Sequence, residues 1–300
     1  MKYNWQQSDW PKFKYDQSDV QDLLLLLAEK TGQVSGALKG LPDAIQTEAM
    51  VDWMVCEAMK TSEIEAEYLS RQAVMSSIRN NLGLNRSLEK VHDGRAQGVA
   101  DLLVDVRETF AESLTQEKLF AWHRMLLGHQ AGSQRVSVGQ WRKHAEPMQV
   151  ISGRLDRPKV HYEGPPSQDV PGMMTQFITW FNATAPDGTD TIKPAPIRAA
   201  VAHLYFESVH PFEDGNGRIG RALSEKALAQ GLGRPVLLSL SQAIEANKKA
   251  YYDALEKAQK SNEITEWISY FVETVLETQT AAEKQVEFII LKTKLFDRYK

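Results

Sequence analysis

Residues 210–221 read His-Pro-Phe-Glu-Asp-Gly-Asn-Gly-Arg-Ile-Gly-Arg, a base, a carboxylate, closely spaced glycines and two guanidiniums within one short stretch. A helix ending near Val209 would deliver His210, and Pro211 would break the backbone pattern. Gly215-Asn216-Gly217 would then form a tight turn before apolar periodicity resumes at Ile219, Ala222 and Leu223. The start of a helix presents unpaired N–H groups and the positive end of a dipole, and glycines let an anion approach closely. Arg218 and Arg221 add two planar forks suited to phosphate oxygens. The nest fits a di- or triphosphate, beside which Asp214 would be a poor neighbour without a cation. Mg²⁺ suits the position, because it takes few protein carboxylates and completes its shell with phosphate oxygens and water. His210 has the pKa class to take a proton from an incoming hydroxyl. Together these residue types describe attack by a hydroxyl on a nucleotide phosphate. Packing offers no rival account, since two guanidiniums and a carboxylate are costly to bury without partners.

The elements around this stretch read as helices. Apolar residues recur at spacings of three and four over Asp22–Lys30, Ala44–Lys60, His92–Ser113, Gln116–Leu127, Asp169–Asn182 and Ala195–Ser208. Further helices are predicted over Gly217–Gln230, Gln242–Lys260 and Ile264–Leu295. One segment alternates instead: Met148–Ser152 and Lys159–Glu163 flank turn residues 153–158, which predicts a β-hairpin. Pro194 and Pro196 open the helix that leads into the motif. The fold class expected is all-α, with a small hairpin and an N-terminal helical region. The divisions expected are an N-terminal region at 1–81, a core at 82–280 and a C-terminal helix at 281–300, whose end carries no stop signal and suggests a further domain beyond.

At 300 residues, with 42% hydrophobic and 25% charged side chains, the composition is that of a soluble globular protein able to bury a core. A net charge of -4 removes the simplest electrostatic case for nucleic acid as a main ligand. The N-terminal residues lack the apolar run of a secretory signal, and the longest aliphatic run, Leu23–Ala28, falls far short of a membrane span. The single Cys56 forbids an intrachain disulfide. These features point to a cytoplasmic protein without a membrane partner, and a homodimer is the default for a chain of this size.

The stretch at 210–221 resembles the Fic family signature, His-Pro-Phe-x-(Asp or Glu)-Gly-Asn-Gly-Arg-x-x-Arg, at every specified position. The resemblance implies a helical Fic core that transfers AMP from ATP to a Ser, Thr or Tyr hydroxyl of a protein. By that likeness His210 is the general base, Asp214 the Mg²⁺ ligand, and Gly215, Asn216 and Gly217 the α-phosphate cradle. Arg218 contacts the phosphates and Arg221 takes the γ-phosphate. The hairpin resembles the family's flap, which holds an extended target segment by main-chain bonds, with Val150, Ile151, Val160 and Tyr162 as docking candidates; the plain alternative is a surface hairpin. Asn247, Tyr251 and Tyr252 fall in a segment similar to one lining the family's adenine pocket, or else serve packing.

Residues 61–66, Thr-Ser-Glu-Ile-Glu-Ala, resemble the family's inhibitory motif (Ser or Thr)-x-x-x-Glu-(Gly or Asn). Thr61 and Glu65 match and Ala66 departs from it. A Glu65 carboxylate on Arg221 would occupy the charge the γ-phosphate needs; a solvated acidic face of Glu63, Glu65 and Glu67 is the alternative. Transfer of another nucleotide or of phosphate, removal of AMP, or a nucleotide-sensing regulatory module remain the competing functions.

Overall fold

The computed structural model describes residues 2–130, 136–154 and 157–298. Among the described residues the chain forms eleven α-helices and one two-stranded sheet, the all-α class expected. The helices are α1 Gln21–Lys39, α2 Asp43–Ile64, α3 Arg71–Asn81, α4 Gly94–Glu108, α5 Gln116–Leu127, α6 Val170–Ala183, α7 Ala195–Val209, α8 Asn216–Leu232, α9 Leu240–Ala246, α10 Lys248–Ala258 and α11 Thr265–Arg298. The hairpin strands are β1 Gln149–Arg154 and β2 Arg157–Glu163.

α7 is the centre of the molecule. Every residue from Ile197 to Val209 is buried, the signature of a helix wrapped on all sides. It packs on α8, α11 and α6, with Phe177 of α6 5.1 Å from the Tyr205 ring and 5.8 Å from Phe206. Some of its polar groups are matched inside the core: Trp267 Nε1 donates to Ala200 O, and Arg198 donates to Phe181 O at 2.7 Å, whereas Tyr205 Oη and Glu207 Oε1 are buried without a hydrogen-bond partner. A helix so enclosed holds its last turn, and therefore His210, in a fixed place.

α2 runs along the same core and ends at the motif. Its buried Glu57 accepts from Ser239 Oγ and the Ser241 N–H at the start of α9, which fixes α2 lengthwise. A smaller apolar cluster, Val34 and Leu38 with Trp53, Ala282 and Val286, joins α1 and α2 to α11.

Four expectations change. The helix predicted over Gln242–Lys260 is two, α9 and α10, because Asn247 takes φ -135° and ψ 51° and breaks the ladder. α1 continues to Lys39, and α4 stops at Glu108, where Thr109 turns its hydroxyl back onto Asp105 O. α3 was not predicted at all: its apolar residues are few, yet Val74 and Ile78 are fully buried and Ser70 caps it through the Ala73 N–H. The hairpin falls where alternation placed it, pairing Val150 with Tyr162 and Ile151 with Val160 across an irregularity in register. Part of its turn, residues 155 and 156, lies outside the described residues.

Candidate active site

Two left-handed residues reverse the chain between α7 and α8: His210 at φ 48° and Gly215 at φ 79°. Glycine adopts that region freely, but histidine needs outside support. Arg142 supplies it. Its guanidinium is 1% exposed and donates to the carbonyls of His210 at 2.8 Å, Val209 at 3.3 Å and Pro165, and to Ser167 Oγ at 3.0 Å. Its own N–H donates to Pro211 O at 2.9 Å. Burial lowers the Arg142 pKa to about 10, which leaves it charged at neutral pH.

The loop is held again from below. His123 accepts the Gly139 N–H at Nδ1, so Nε2 carries the proton and donates to Asp214 O at 3.2 Å. Its ring stacks on Phe212 at 4.1 Å, and burial drops its pKa to about 4, keeping it neutral. The Asn216 amide bridges the N–H and C=O of Phe212, both at 2.9 Å. That side chain closes the loop, so what Asn216 can offer a phosphate is its main-chain N–H at the start of α8.

A cavity of about 750 Å³ opens on this loop, lined by His210, Asp214, Gly217, Arg221 and Tyr252 and roofed by Val150 and Ile151. Behind His210, Glu207 Oε2 lies 3.6 Å from Nδ1, too far for a hydrogen bond. Burial alone would raise the Glu207 pKa; His210, His203 and Arg221 outweigh it and hold the carboxyl below its usual range. Asp214 Oδ1 accepts the Gly215 N–H at 2.6 Å, and the carboxylate is 49% exposed. Among the described residues no cluster of three His, Cys, Asp or Glu could hold a metal. A cation here would rest on one hard carboxylate and take its other ligands from phosphate and water, which suits Mg²⁺.

The end of α2 reaches into the same cavity. Glu65 Oε1 lies 2.7 Å from Arg221 Nη2, while Thr61 accepts from Arg221 Nε at 2.8 Å and, by its carbonyl, from Nη2 at 3.1 Å. A Cβ added to Gly217 would meet Glu65 Oε1 at 2.4 Å, so the carboxylate presses on the glycine face where a phosphate would approach. Burial disfavours the charge on Arg221, yet Glu65 beside it raises its pKa above the ordinary value. Glu67 forms a second pair, its Oε2 2.8 Å from Arg218 Nη1. Ala66, between the two carboxylates, adopts φ 60°. It takes a left-handed turn, a conformation Gly or Asn adopts more readily, and α2 ends there. Lys248 Nζ donates to Ile64 O and seats this end against α10. Of the acidic residues of this turn, Glu63 pairs with Lys60 at 2.6 Å, Glu65 with Arg221 and Glu67 with Arg218.

Two candidate residues sit differently from their expected places. Tyr162, expected to face a target, is 2% exposed and donates its hydroxyl to Ser208 O, so it anchors the hairpin; Ile151 at 47% and Val160 at 39% are the exposed apolar positions. Asn247 stands at the break between α9 and α10, outside the cavity wall, which Tyr251 and Tyr252 do line. Tyr251 is itself buried, its hydroxyl 2.7 Å from His203 Nε2. Sequence reasoning missed Arg142, His123 and Glu207, and read Glu67 only as part of a solvated acidic face. Glu207 precedes His210 by one helical turn and could have been noticed on that spacing.

Comparison with known proteins fits this geometry. Residues 113–228 match the Fic/DOC family, and residues 3–84 match a domain of unknown function, DUF4172. The chain is 29% identical over 153 residues to "Protein adenylyltransferase Fic" of Culex quinquefasciatus, covering 50% of this chain and 25% of that protein. It is 28% identical over 99 residues to a probable protein adenylyltransferase of Aquifex aeolicus, covering 33% and 27%. The matched part thus spans about a quarter of these relatives. In fold it is similar to a Fic family protein from Desulfovibrio desulfuricans, with a TM-score of 0.64 at 20% identity, over 92% of this chain and 77% of that one.

Proposed function

We propose, from the match of residues 113–228 to the Fic/DOC family, that the chain moves AMP from ATP to a Ser, Thr or Tyr hydroxyl of a target protein, itself included, releasing pyrophosphate. The observation that carries this is the convergence of His210, Asp214, Gly217 and Arg221 on one cavity. His210 takes the hydroxyl proton, the oxygen forms a bond to the α-phosphorus, and the bond from that phosphorus to pyrophosphate breaks. Glu207 stabilises the imidazolium formed. The N–H groups at the start of α8 and the Arg218 and Arg221 guanidiniums bind the phosphate oxygens. Mg²⁺, held by Asp214, would supply charge neutralisation on the phosphates. Val150, Ile151 and Val160 of the hairpin offer the target a strand edge and small apolar contacts.

In the resting arrangement Glu65 holds the γ-phosphate position on Arg221 and bears on Gly217. ATP that enters must then sit displaced, with its α-phosphate out of line with the acceptor. The protein is an adenylyltransferase held off by its own α2.

The test compares the Glu65→Gly variant with ATP labelled on the α-phosphate and on the γ-phosphate. AMP transfer labels protein from the first and not from the second, and His210→Ala should reduce that label about 10²- to 10⁴-fold. Label from the γ-phosphate would assign phosphate transfer instead. Binding of ATP with no label from either would leave a nucleotide-sensing module.

A further inference from the structure

We infer that the N-terminal strap at Tyr3–Trp5 is a positioning element of the transfer site, fixing the hairpin and His210 relative to each other. The inference rests on the transfer reading above.

The strap meets both parts at once. Trp5 Nε1 donates to Glu163 O, the last residue of β2, at 2.9 Å, and the Tyr3 ring packs edge-on against Tyr162 at 5.0 Å. Asn4 is fully buried, and its amide donates to Ser208 Oγ at 2.8 Å, two residues before His210. Tyr162 donates its hydroxyl to the carbonyl of the same Ser208. Ser208 is therefore a node: one polar group takes the strap, the other takes the hairpin, and His210 follows in the chain.

The strap is itself anchored behind. Asn4 donates its N–H to Gln259 O at 2.8 Å and accepts from the Asn262 amide at 3.2 Å, while Gln259 reaches Glu207 O at 3.2 Å. Further along, Lys14 bridges the same loop in both directions, to Asn262 O at 2.7 Å and from the Ile264 N–H at 2.8 Å. A buried asparagine with its N–H, C=O, amide oxygen and amide nitrogen all engaged is a costly element to keep unless the alignment it sets is needed. A misalignment of about 1 Å between docked target and base can cost about 10²-fold in rate, so a strap of this kind acts on transfer and leaves nucleotide binding alone.

The test uses the full chain in the Glu65→Gly background. Trp5→Phe keeps the ring and removes the donor to Glu163; Asn4→Ala removes the bond to Ser208. Melting temperature establishes that each is folded, and binding of a fluorescent ATP analogue reports the cavity. Single-turnover self-labelling from ATP should fall about tenfold or more with Trp5→Phe while analogue affinity stays within twofold, and hydrogen exchange over residues 149–163 should accelerate. Folded variants with unchanged labelling and unchanged exchange would overturn the inference. If the Glu65→Gly parent does not label, the transfer reading fails, and exchange in the hairpin decides the strap alone: acceleration supports it and no change refutes it.

Discussion

Glu67 Oε2 lies 2.8 Å from Arg218 Nη1, across the gap between the end of α2 and the first turn of α8. Two residues earlier Glu65 makes the same kind of contact with Arg221, so one turn of chain answers both guanidiniums of the motif. Arg218 is 4% exposed and the Glu67 side chain 22%, which makes the pair stronger than an exposed ion pair and weaker than an enclosed one. Glu67→Gln should raise self-labelling about threefold to tenfold, the effect of ~1 kcal/mol, and should add to the larger effect of Glu65→Gly. Labelling rates of the two single variants and the double variant check this; a Glu67→Gln rate equal to the parent's would make the contact incidental.

Ala66 at φ 60° carries a Cβ where that region is costly by about 1–2 kcal/mol. Ala66→Gly should relieve the turn that presents Glu65, raise the melting temperature by a few degrees and lower residual self-labelling about fivefold. Both quantities can be measured on the same preparation. A melting temperature below the parent's would contradict the account of the turn.

Arg142 is a positioning residue, because its donors go to carbonyls and a hydroxyl that set the loop and none goes to the cavity. Arg142→Ala leaves buried oxygens unpaired and should cost about 3 kcal/mol of stability. Arg142→Lys, with one ammonium for several diverging acceptors, should fold but lose about 10- to 100-fold in labelling rate at saturating ATP, with ATP affinity changed little. Full activity of Arg142→Lys would show that the fork is not needed.

His123 titrates at about 4 in the folded protein, against an ordinary value of 6.5, and burial also lowers the pKa of His203. The unfolded chain then binds more protons between those values, so stability is present above about pH 6.5 and is lost as pH falls towards 4. The His123 share is up to about 3 kcal/mol. Denaturant unfolding between pH 7 and pH 4.5 should give this slope, and His123→Gln, which cannot titrate, should flatten it. An unaltered slope would place the loss on other groups.

The loop chemistry was legible because it is local: His210, Asp214, Gly215 and Arg221 lie close in sequence and the helix period brings them together. The hairpin was legible from alternation, and α5 from periodicity. What escaped lies in long-range contacts. Arg142 stands far from His210 in the chain, and an isolated arginine between turn residues carries no sign that it will be buried on carbonyls. His123 shows only as one more histidine on an apolar helix. The division expected at residue 81 follows the Asn- and Gly-containing stretch at 80–85, and α1, α2 and α3 contribute Leu27, Val51, Val55 and Ile78 to the main core. Ala66 concealed the turn because it lacks the Gly or Asn that usually marks such a helix end, where the Ala66 N–H donates to Glu63 O and the Glu67 N–H to Ser62 O. α3 could have been found from Ser70 at its start and Gly83, at φ 65°, just beyond its end.

Glu65 on Arg221 is proposed to keep this site from transferring AMP, and the self-labelling rates of parent and Glu65→Gly from ATP labelled on the α-phosphate test this most directly. A charge-assisted contact of this kind is worth ~1.5–3 kcal/mol, so release should raise the rate about 10- to 100-fold. Equal rates in the two proteins would contradict it.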